Sequence, residues 1–351
     1  MIESYSTLEV EEQVKTNIFD RVLTALDSRR RVLIFGDSEL VSDLVRVLTF
    51  KRRHWYEVVG ILSQDPARIG QLVHGIPILG AVEGLFEIVE KHRVNTIAIC
   101  MTDRRGVMPL ETLLDFKSMG LDVLDGHQLY ESECGRLSID ELKPSALIFS
   151  SGFHRRPLTM AMKRLEDLFG AAFGLLVTAP LMFLVSLLIK MDSAGPALYK
   201  QTRVGLRGGS YILWKFRSMR QDSEGDNAQW AQLGDHRVTR IGRWLRLMRI
   251  DELPQLFNVL RGEMSLVGPR PERPLFVKDL RKKIPYYDLR HTIRPGLTGW
   301  AQIRFNYAAS VEDSHVKLQY DLYYVKHLSL LFDFSILFRT IRVILLGSGA
   351  R

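Results

Sequence analysis

Residues 31–36 (RVLIFG) form an apolar run closed by glycine, and Leu40, Val41, Leu44, Val45 and Leu48 then recur at helical spacing, which predicts strand, turn and helix. The pattern repeats along the first half. Residues 58–62, 76–79, 95–100 and 121–124 read as strands, 82–90 as a helix, and 109–119 as a helix opened by Pro109. Strands alternating with helices predict an α/β fold with a parallel sheet covered on both faces, over residues 31–142. Residues 1–30 read as a helical lead-in. Residues 1–12 are acidic and polar with no apolar core after them, so no targeting peptide is expected and the chain is expected to begin in the cytosol.

The pattern changes at residues 168–189 (LFGAAFGLLVTAPLMFLVSLLI), 22 positions without a charge, enough for a bilayer core of roughly 30 Å. Pro180 removes one backbone hydrogen bond near the middle, so a kink or break is expected there. Arg155, Arg156, Lys163 and Arg164 precede the segment, and Lys190, Lys200 and Arg203 follow it. Basic residues on both sides favour both ends in the cytoplasm. Twelve residues reach about 18 Å, so a chain broken at Pro180 would turn back as a re-entrant hairpin. A kinked transmembrane helix and a buried soluble helix are the alternatives. Residues 328–346 are mostly apolar with Arg339 and Arg342 on one face, which fits either an interfacial helix on anionic lipid or a core helix; Asp333 argues against a span. Residues 143–160 form the linker, and 161–351 the second domain.

Composition sharpens this division. Residues 1–150 carry 17 Lys+Arg and 23 Asp+Glu, whereas residues 151–351 carry 31 and 17, so the second half is the one suited to anions. Disorder is excluded by 46% apolar residues, and two cysteines, Cys100 and Cys134, form neither a disulfide framework nor a zinc spacing. A dinucleotide at the first strand-helix turn is disfavoured. That turn reads Gly36-Asp37-Ser38-Glu39, whose carboxylates would cap the helix and repel a pyrophosphate. The first domain is therefore read as regulatory or assembly-related.

The basic half also carries the candidate chemistry. Arg243, Arg246 and Arg249 recur every three residues, which predicts a cationic ridge on a helix. Pro254 favours a new helix start, with Leu256, Phe257, Val259 and Leu260 as its apolar members. Asp251 and Glu252 then fall at a junction where a helix dipole stabilises an ionised carboxylate. Asp251 is a candidate nucleophile; plain helix capping is the competing reading. Pro269 and Pro271 restrain Arg270, so its fork could be aimed at a phosphate at low entropic cost. Arg294 and Pro295, with Gly296 and Gly299, make a tight loop with exposed backbone donors, and Lys215 and Arg217 lie on one strand face. Beside a membrane hairpin these groups outline a diphosphate site.

The stretch from about residue 163 to 351 resembles the catalytic domain of the monotopic polyprenyl-phosphate glycosyl-1-phosphate transferases, bacterial initiating sugar transferases of exopolysaccharide and related pathways. The resemblance rests on the proline-broken apolar segment, QTRVG (201–205), KFRSM (215–219), RIDELPQL (249–256), GPRP (268–271) and RPGLTGWAQ (294–302). Long members are similar in carrying a Rossmann-like domain, there preceded by several transmembrane helices. The resemblance implies a mostly helical, membrane-embedded catalytic domain at the bacterial inner membrane, facing the cytoplasm. It also implies transfer of a sugar-1-phosphate from a UDP-sugar to undecaprenyl phosphate, with release of UMP. By the same carry-over, Asp251 forms a covalent phosphosugar intermediate, Glu252 assists, Mg2+ lies at Asp251 and Glu252, and Arg246, Arg270 and Lys215 hold phosphate. The family's membrane break is typically Ser-Pro, whereas Ala179 precedes Pro180 here. UDP-sugar, polyprenyl phosphate and membrane lipid are thus the expected partners, without nucleic acid, and a homodimer is allowed. A non-catalytic basic lipid or nucleic-acid anchor is the alternative, and a nucleotide-sugar epimerase or dehydrogenase on the first half a third reading.

Overall fold

The computed structural model describes residues 30–50, 55–101, 108–140, 144, 147, 152–153, 156–220, 237–305 and 310–345, so most of the helical lead-in expected at 1–30 lies outside the described residues. The chain divides into two compact units, Met1–Glu141 and Leu142–Arg351.

The first unit is built from β1 (Arg30–Phe35), α1 (Glu39–Phe50), β2 (Tyr56–Leu62), β3 (Leu72–Val73), β4 (Ile76–Gly80), α2 (Leu85–Lys91), β5 (Thr96–Ile99), α3 (Leu110–Ser118), β6 (Asp122–Asp125) and α4 (Gly126–Cys134). The sheet order is β3-β4-β2-β1-β5-β6, parallel except for the short β3 against β4. Alternation along β1 explains the two-faced core. Val32 and Ile34 join Leu44 and Leu48 of α1 and Leu129 of α4, while Leu33 and Phe35 join Leu85 of α2 and Leu113 and Phe116 of α3. The sequence pattern had foreseen these strands and α1 to α3, but not β3 or α4.

Strand order reverses at β1, where a small pocket lined by Gly36, Asp37, Ser38, Glu39 and Arg68 remains. Asp37 accepts from Ser63 Oγ at 2.7 Å, from the Gln64 amide at 2.6 Å and from Arg68 Nη1 at 2.7 Å. Asp37 thus ties the β2 loop instead of capping α1. Gly36 has φ 138° and sits where a Cβ would lie 2.1 Å from the Cys100 carbonyl oxygen, which only glycine permits.

The second unit begins with α5 (Pro157–Asp192), a single 36-residue helix with Pro180 inside it. The chain remains helical through the proline, which removes only the bond to the Leu176 carbonyl. Its most apolar 18-residue stretch has a mean hydropathy of 2.4 and is only 11% buried within the protein, which argues against an ordinary core helix. Phe169, Phe173, Leu176, Phe183 and Leu187 are all exposed.

The N-terminal flank of that stretch is anchored in the unit. Arg164 donates to the Val259 and Leu260 carbonyls at 2.7 and 2.8 Å, satisfying the end of α7 (Gln255–Arg261). Asp167 Oδ1 accepts from Ser265 Oγ and the Leu266 amide, each at 2.8 Å. Lys163 pairs with the fully buried Asp333 of α11 (Leu330–Leu345), to which Tyr324 also bonds at 2.6 Å. The charge that argued against a span is thus an interior anchor. One face of α11 packs with Ile336 in the core, and Leu331, Phe334 and Phe338 remain exposed.

Two small sheets complete the frame: the antiparallel pair β7 (Leu198–Val204) and β8 (Ser210–Phe216), and the parallel pair β9 (Ser265–Val267) and β10 (Gly296–Thr298). Helices α6 (Arg240–Leu247), α7, α8 (Pro274–Lys283), α9 (Trp300–Arg304), α10 (Val311–Lys326) and α11 surround them. The core joins Ala171 of α5, Leu256 and Val259 of α7, Val267 of β9, Trp300 of α9 and Tyr324 of α10.

Candidate active site

Asp251 and Glu252 occupy a short 3-10 turn, Ile250–Glu252, between α6 and α7. Thr239 caps α6 by accepting from the Gly242 amide at 2.9 Å, and a Cβ on Gly242 would fall 2.0 Å from the Ser218 carbonyl oxygen, so α6 lies directly on the end of the β8 strand region. Arg249 then reverses the chain at φ 54°, a left-handed conformation that costs an arginine about 1–2 kcal/mol. The expected ridge is therefore interrupted: Arg243 and Arg246 share α6, and Arg249 does not. Pro254 opens α7 as expected, with Leu256 and Val259 buried but Phe257 exposed.

Four cations surround the two carboxylates. Lys215 Nζ and Arg270 Nη2 each lie 3.1 Å from Glu252 Oε1, and Arg249 Nη1 lies 3.5 Å from Oε2. Arg246 bonds Ser218 Oγ through Nε at 2.9 Å and acts electrostatically on Asp251. Burial alone would raise the Glu252 carboxyl, but Lys215, Arg270 and Arg249 outweigh it and hold the group well below the usual carboxylate range. The neighbouring carboxyl behaves in the opposite way. Burial, with Glu252 adding, raises Asp251 against the pull of Lys215, Arg246 and Arg270. Desolvation is the largest influence at Asp251 and acts in the direction opposite to the helix dipole expected from sequence. Lys215 is lowered, first by burial and then by Arg270, with Glu252 opposing.

Among the described residues no hydrogen bond or ion pair is recorded for the Asp251 carboxylate, although Asp251 is only 8% exposed. Arg270 is 36% exposed at its side chain, so its fork reaches solvent. One buried carboxylate is saturated by cations and its neighbour is left available beside them, an arrangement that accepts a polyanion and offers it a nucleophile. A divalent ion would find one open carboxylate, Asp251, because both oxygens of Glu252 face cations. Among the described residues no cluster of three or more His, Cys, Asp or Glu could hold a metal. A single carboxylate is still enough for an ion that arrives with substrate phosphates.

Other expected phosphate ligands serve the backbone instead. Arg217 donates to the Ser193 and Ala194 carbonyls at 2.6 and 2.7 Å and to Ser193 Oγ at 3.0 Å, closing the end of α5. Arg294 Nε donates to the Gly262 carbonyl at 2.8 Å, beyond the far end of α7 from Asp251. Nor is Gly296 an open donor, and Gly299 is as tightly packed. The Gly296 amide bonds the Pro269 carbonyl at 2.9 Å, and a Cβ on either glycine would lie 2.1 Å from Gly268 backbone, so both permit close packing. Pro269 and Pro271 do shape the Arg270 loop, and the Pro271 carbonyl accepts from Arg203 Nη1 at 3.0 Å.

Sequence reasoning missed the supports of that loop. Arg203 stands inside the QTRVG motif, which was the available signal; Arg290, Glu272, Lys317 and Asp321 stand in none of the motifs. Lys317 pairs with Glu272, whose carboxyl is lowered to about 2 because Lys317, Arg290 and Arg203 together outweigh its burial.

Comparison with known proteins agrees with this chemistry. The sequence model of bacterial sugar transferases matches residues 158–347. The chain is 46% identical over 224 residues to a UDP-N-acetylgalactosamine-undecaprenyl-phosphate N-acetylgalactosaminephosphotransferase of Aeromonas hydrophila, covering 64% of this chain and 52% of that protein. It is 34% identical to an undecaprenyl-phosphate glucose phosphotransferase of Komagataeibacter xylinus (95% and 63% covered). It is 31% identical to a UDP-glucose:undecaprenyl-phosphate glucose-1-phosphate transferase of Escherichia coli K12 (90% and 67%). The chain thus spans about half to two thirds of these relatives' lengths. With more than half of its length matched, including the Asp251-Glu252 turn and the Arg270 loop, the chain belongs to the bacterial sugar transferase family.

Proposed function

We propose that this protein transfers a sugar-1-phosphate from a UDP-sugar to polyprenyl phosphate and releases UMP, as the first membrane step in making an exopolysaccharide or related glycoconjugate. The observation that carries this reading is the open Asp251 carboxylate beside Lys215, Arg246 and Arg270. Four cations against two carboxylates leave the turn cationic, suited to a diphosphate. An Asp251 oxygen attacks the sugar-bearing phosphorus, and the bridging oxygen departs with UMP. A phosphate oxygen of the polyprenyl carrier then attacks the same phosphorus, which frees the carboxylate and forms the sugar diphosphate lipid. Arg270 and Arg246 hold phosphate oxygens, and Lys215 sets the charge at Glu252. Glu252 itself is too weak a base to take a proton and acts by fixing the cations. Mg2+, held at Asp251 together with the substrate diphosphate, would supply further charge neutralisation at the transferring phosphoryl group.

The same reading puts residues 168–189 in the inner membrane as a re-entrant segment, with the catalytic unit on the cytoplasmic side. Its support is the pair of anchors. Arg164 holds the last carbonyls of α7, while Val185 and Ile189 share an apolar cluster with Ile250 and Leu253, just before α7 begins. A straight helix from 164 to 189 would measure about 38 Å, against about 10 Å for α7, so a bend in α5 is favoured.

The test incubates protein in its membrane fraction with a panel of UDP-sugars, polyprenyl phosphate and Mg2+. Lipid-dependent UMP release with one donor is expected, with a phosphosugar adduct on the Asp251 peptide when the acceptor is omitted. Folded protein that is silent across a broad panel overturns the proposal.

A further inference from the structure

The cations around Glu252 are held from behind by a second buried ion network, and α10 supplies two of its members one helical turn apart. Arg290 Nη2 donates to the Arg270 carbonyl at 2.9 Å, while Nη1 donates to Tyr287 Oη at 2.7 Å. The same guanidinium lies 2.7 Å from Asp321 Oδ2, and both partners are almost fully buried, at 4% and 2% exposure. One turn earlier on α10, Lys317 grips Glu272, two residues beyond Arg270. Arg203 braces the loop from β7 through the Pro271 carbonyl and lies 3.8 Å from Glu272. Each of the four residues 269–272 is thereby fixed by a partner outside the loop: Gly296, Arg290, Arg203 and Lys317.

We infer that Arg290, oriented by Asp321, is the positioning residue that aims the Arg270 guanidinium at the diphosphate. It touches no reacting atom. Its fork holds the main chain of the residue whose side chain does, and the contact is geometric: a planar guanidinium serves a carbonyl, a hydroxyl and a carboxylate at once, which a lysine cannot. A displacement of about 1 Å in such a group is sufficient to cost on the order of a hundredfold in rate. Burial explains why charged residues are used. A buried arginine stays charged and is costly to desolvate without a partner, so Asp321 fixes Arg290 while Lys317 fixes Glu272 two residues further along the loop. This inference rests on the proposed function insofar as it takes the anion to be a diphosphate.

The test is a double-mutant cycle on the full chain, read by calorimetric affinity for UDP and, separately, by UMP release. Arg290→Lys keeps the charge beside Asp321 and removes the fork; Asp321→Asn is the second probe, and thermal melting establishes that each variant is folded. We expect Arg290→Lys to weaken UDP binding tenfold or more in the native background and less than twofold in an Arg270→Ala background, with Asp321→Asn behaving alike. Equal losses in both backgrounds would mean a general structural role and overturn the inference, as would UDP binding that Arg290→Lys leaves unchanged or the absence of any UDP binding. UDP binding with the expected coupling, but without UMP release from any donor, would instead overturn the proposed activity and leave the positioning role standing.

Discussion

Lys215 and Arg270 converge on one atom, Glu252 Oε1, each at 3.1 Å, although they come from a strand and a loop 55 residues apart in sequence. That shared oxygen separates two adjacent carboxylates: Glu252 is ringed by cations, and Asp251 is left open for the role proposed for it. Asp251→Asn should therefore abolish UMP release, by about 10^4-fold or more, because an amide cannot form the acyl phosphate. Its melting temperature should stay close to that of the native protein, since no ion pair is lost. Residual turnover within tenfold of native would sink the nucleophile assignment.

The pH profile follows from the same contacts. Glu252 raises Asp251 by its negative charge, while Lys215 and Arg270, partly neutralised by Glu252, lower it. Glu252→Gln removes the charge that favours protonated Asp251 and leaves the opposing cations uncompensated. The acid limb of kcat/KM should accordingly move to lower pH, even as the maximum falls by about a hundredfold through disordered cations. Measured rates from pH 4 to 9 decide this; an acid limb that moves upward contradicts the assigned roles.

Much of this site could be read in the chain, and the limits of that reading have a physical cause. The unbroken apolar run in 31–36 specified a strand buried on both faces, and Pro254 specified where α7 begins, because both signals are local. Asp251, Glu252, Lys215, Arg246 and Arg270 were found through motif and charge. Arg217 and Arg294 were assigned to phosphate by the same argument, yet each meets backbone carbonyls, which carry no side-chain signature. Likewise Asp321 and Lys317 look like ordinary polar positions on an amphipathic helix until the Arg270 loop is folded against them.

Arg217 separates these two kinds of arginine experimentally. Arg217→Met leaves the Ser193 and Ala194 carbonyls without their donor near the end of α5, so a loss of about 2–4 kcal/mol in stability is expected. The KM for the UDP-sugar should change less than threefold. A large rise in KM with unchanged melting behaviour would return Arg217 to the phosphate site.

Glu166 gives a stability prediction with a definite sign. Both of its carboxyl oxygens are buried without a hydrogen-bond partner, and burial, then Asp333, raises its pKa to about 7 despite Lys163. Because the folded state holds this proton more tightly than the unfolded chain does, its contribution is full below about pH 4 and is lost as pH rises through 7. Glu166→Gln should flatten that decline and stabilise the protein at pH 8 by about 1 kcal/mol, allowing for solvent screening. Chemical denaturation at pH 5 and pH 8 tests it, and equal effects at the two values would refute the link to titration.

The geometry of α5 yields the last prediction. A straight helix of 36 residues measures about 54 Å and would carry its two ends to opposite sides of a bilayer. Met162 and Met191 flank the apolar stretch and are 47% and 82% exposed, so cysteines placed there report which side each end occupies. In a background with Cys100 and Cys134 changed to serine, Met162→Cys and Met191→Cys should both react with a membrane-impermeant maleimide from the cytoplasmic face alone. Pro180→Leu restores the backbone donor to the Leu176 carbonyl and removes the ring that favours a bend. If the proline maintains re-entry, this variant should lose cytoplasmic labelling at one end in a measurable fraction of molecules and lose activity in the same proportion. Native ends labelled from opposite faces would establish a plain span, and the anchors at Arg164 and Arg217 would then have to be explained by packing alone.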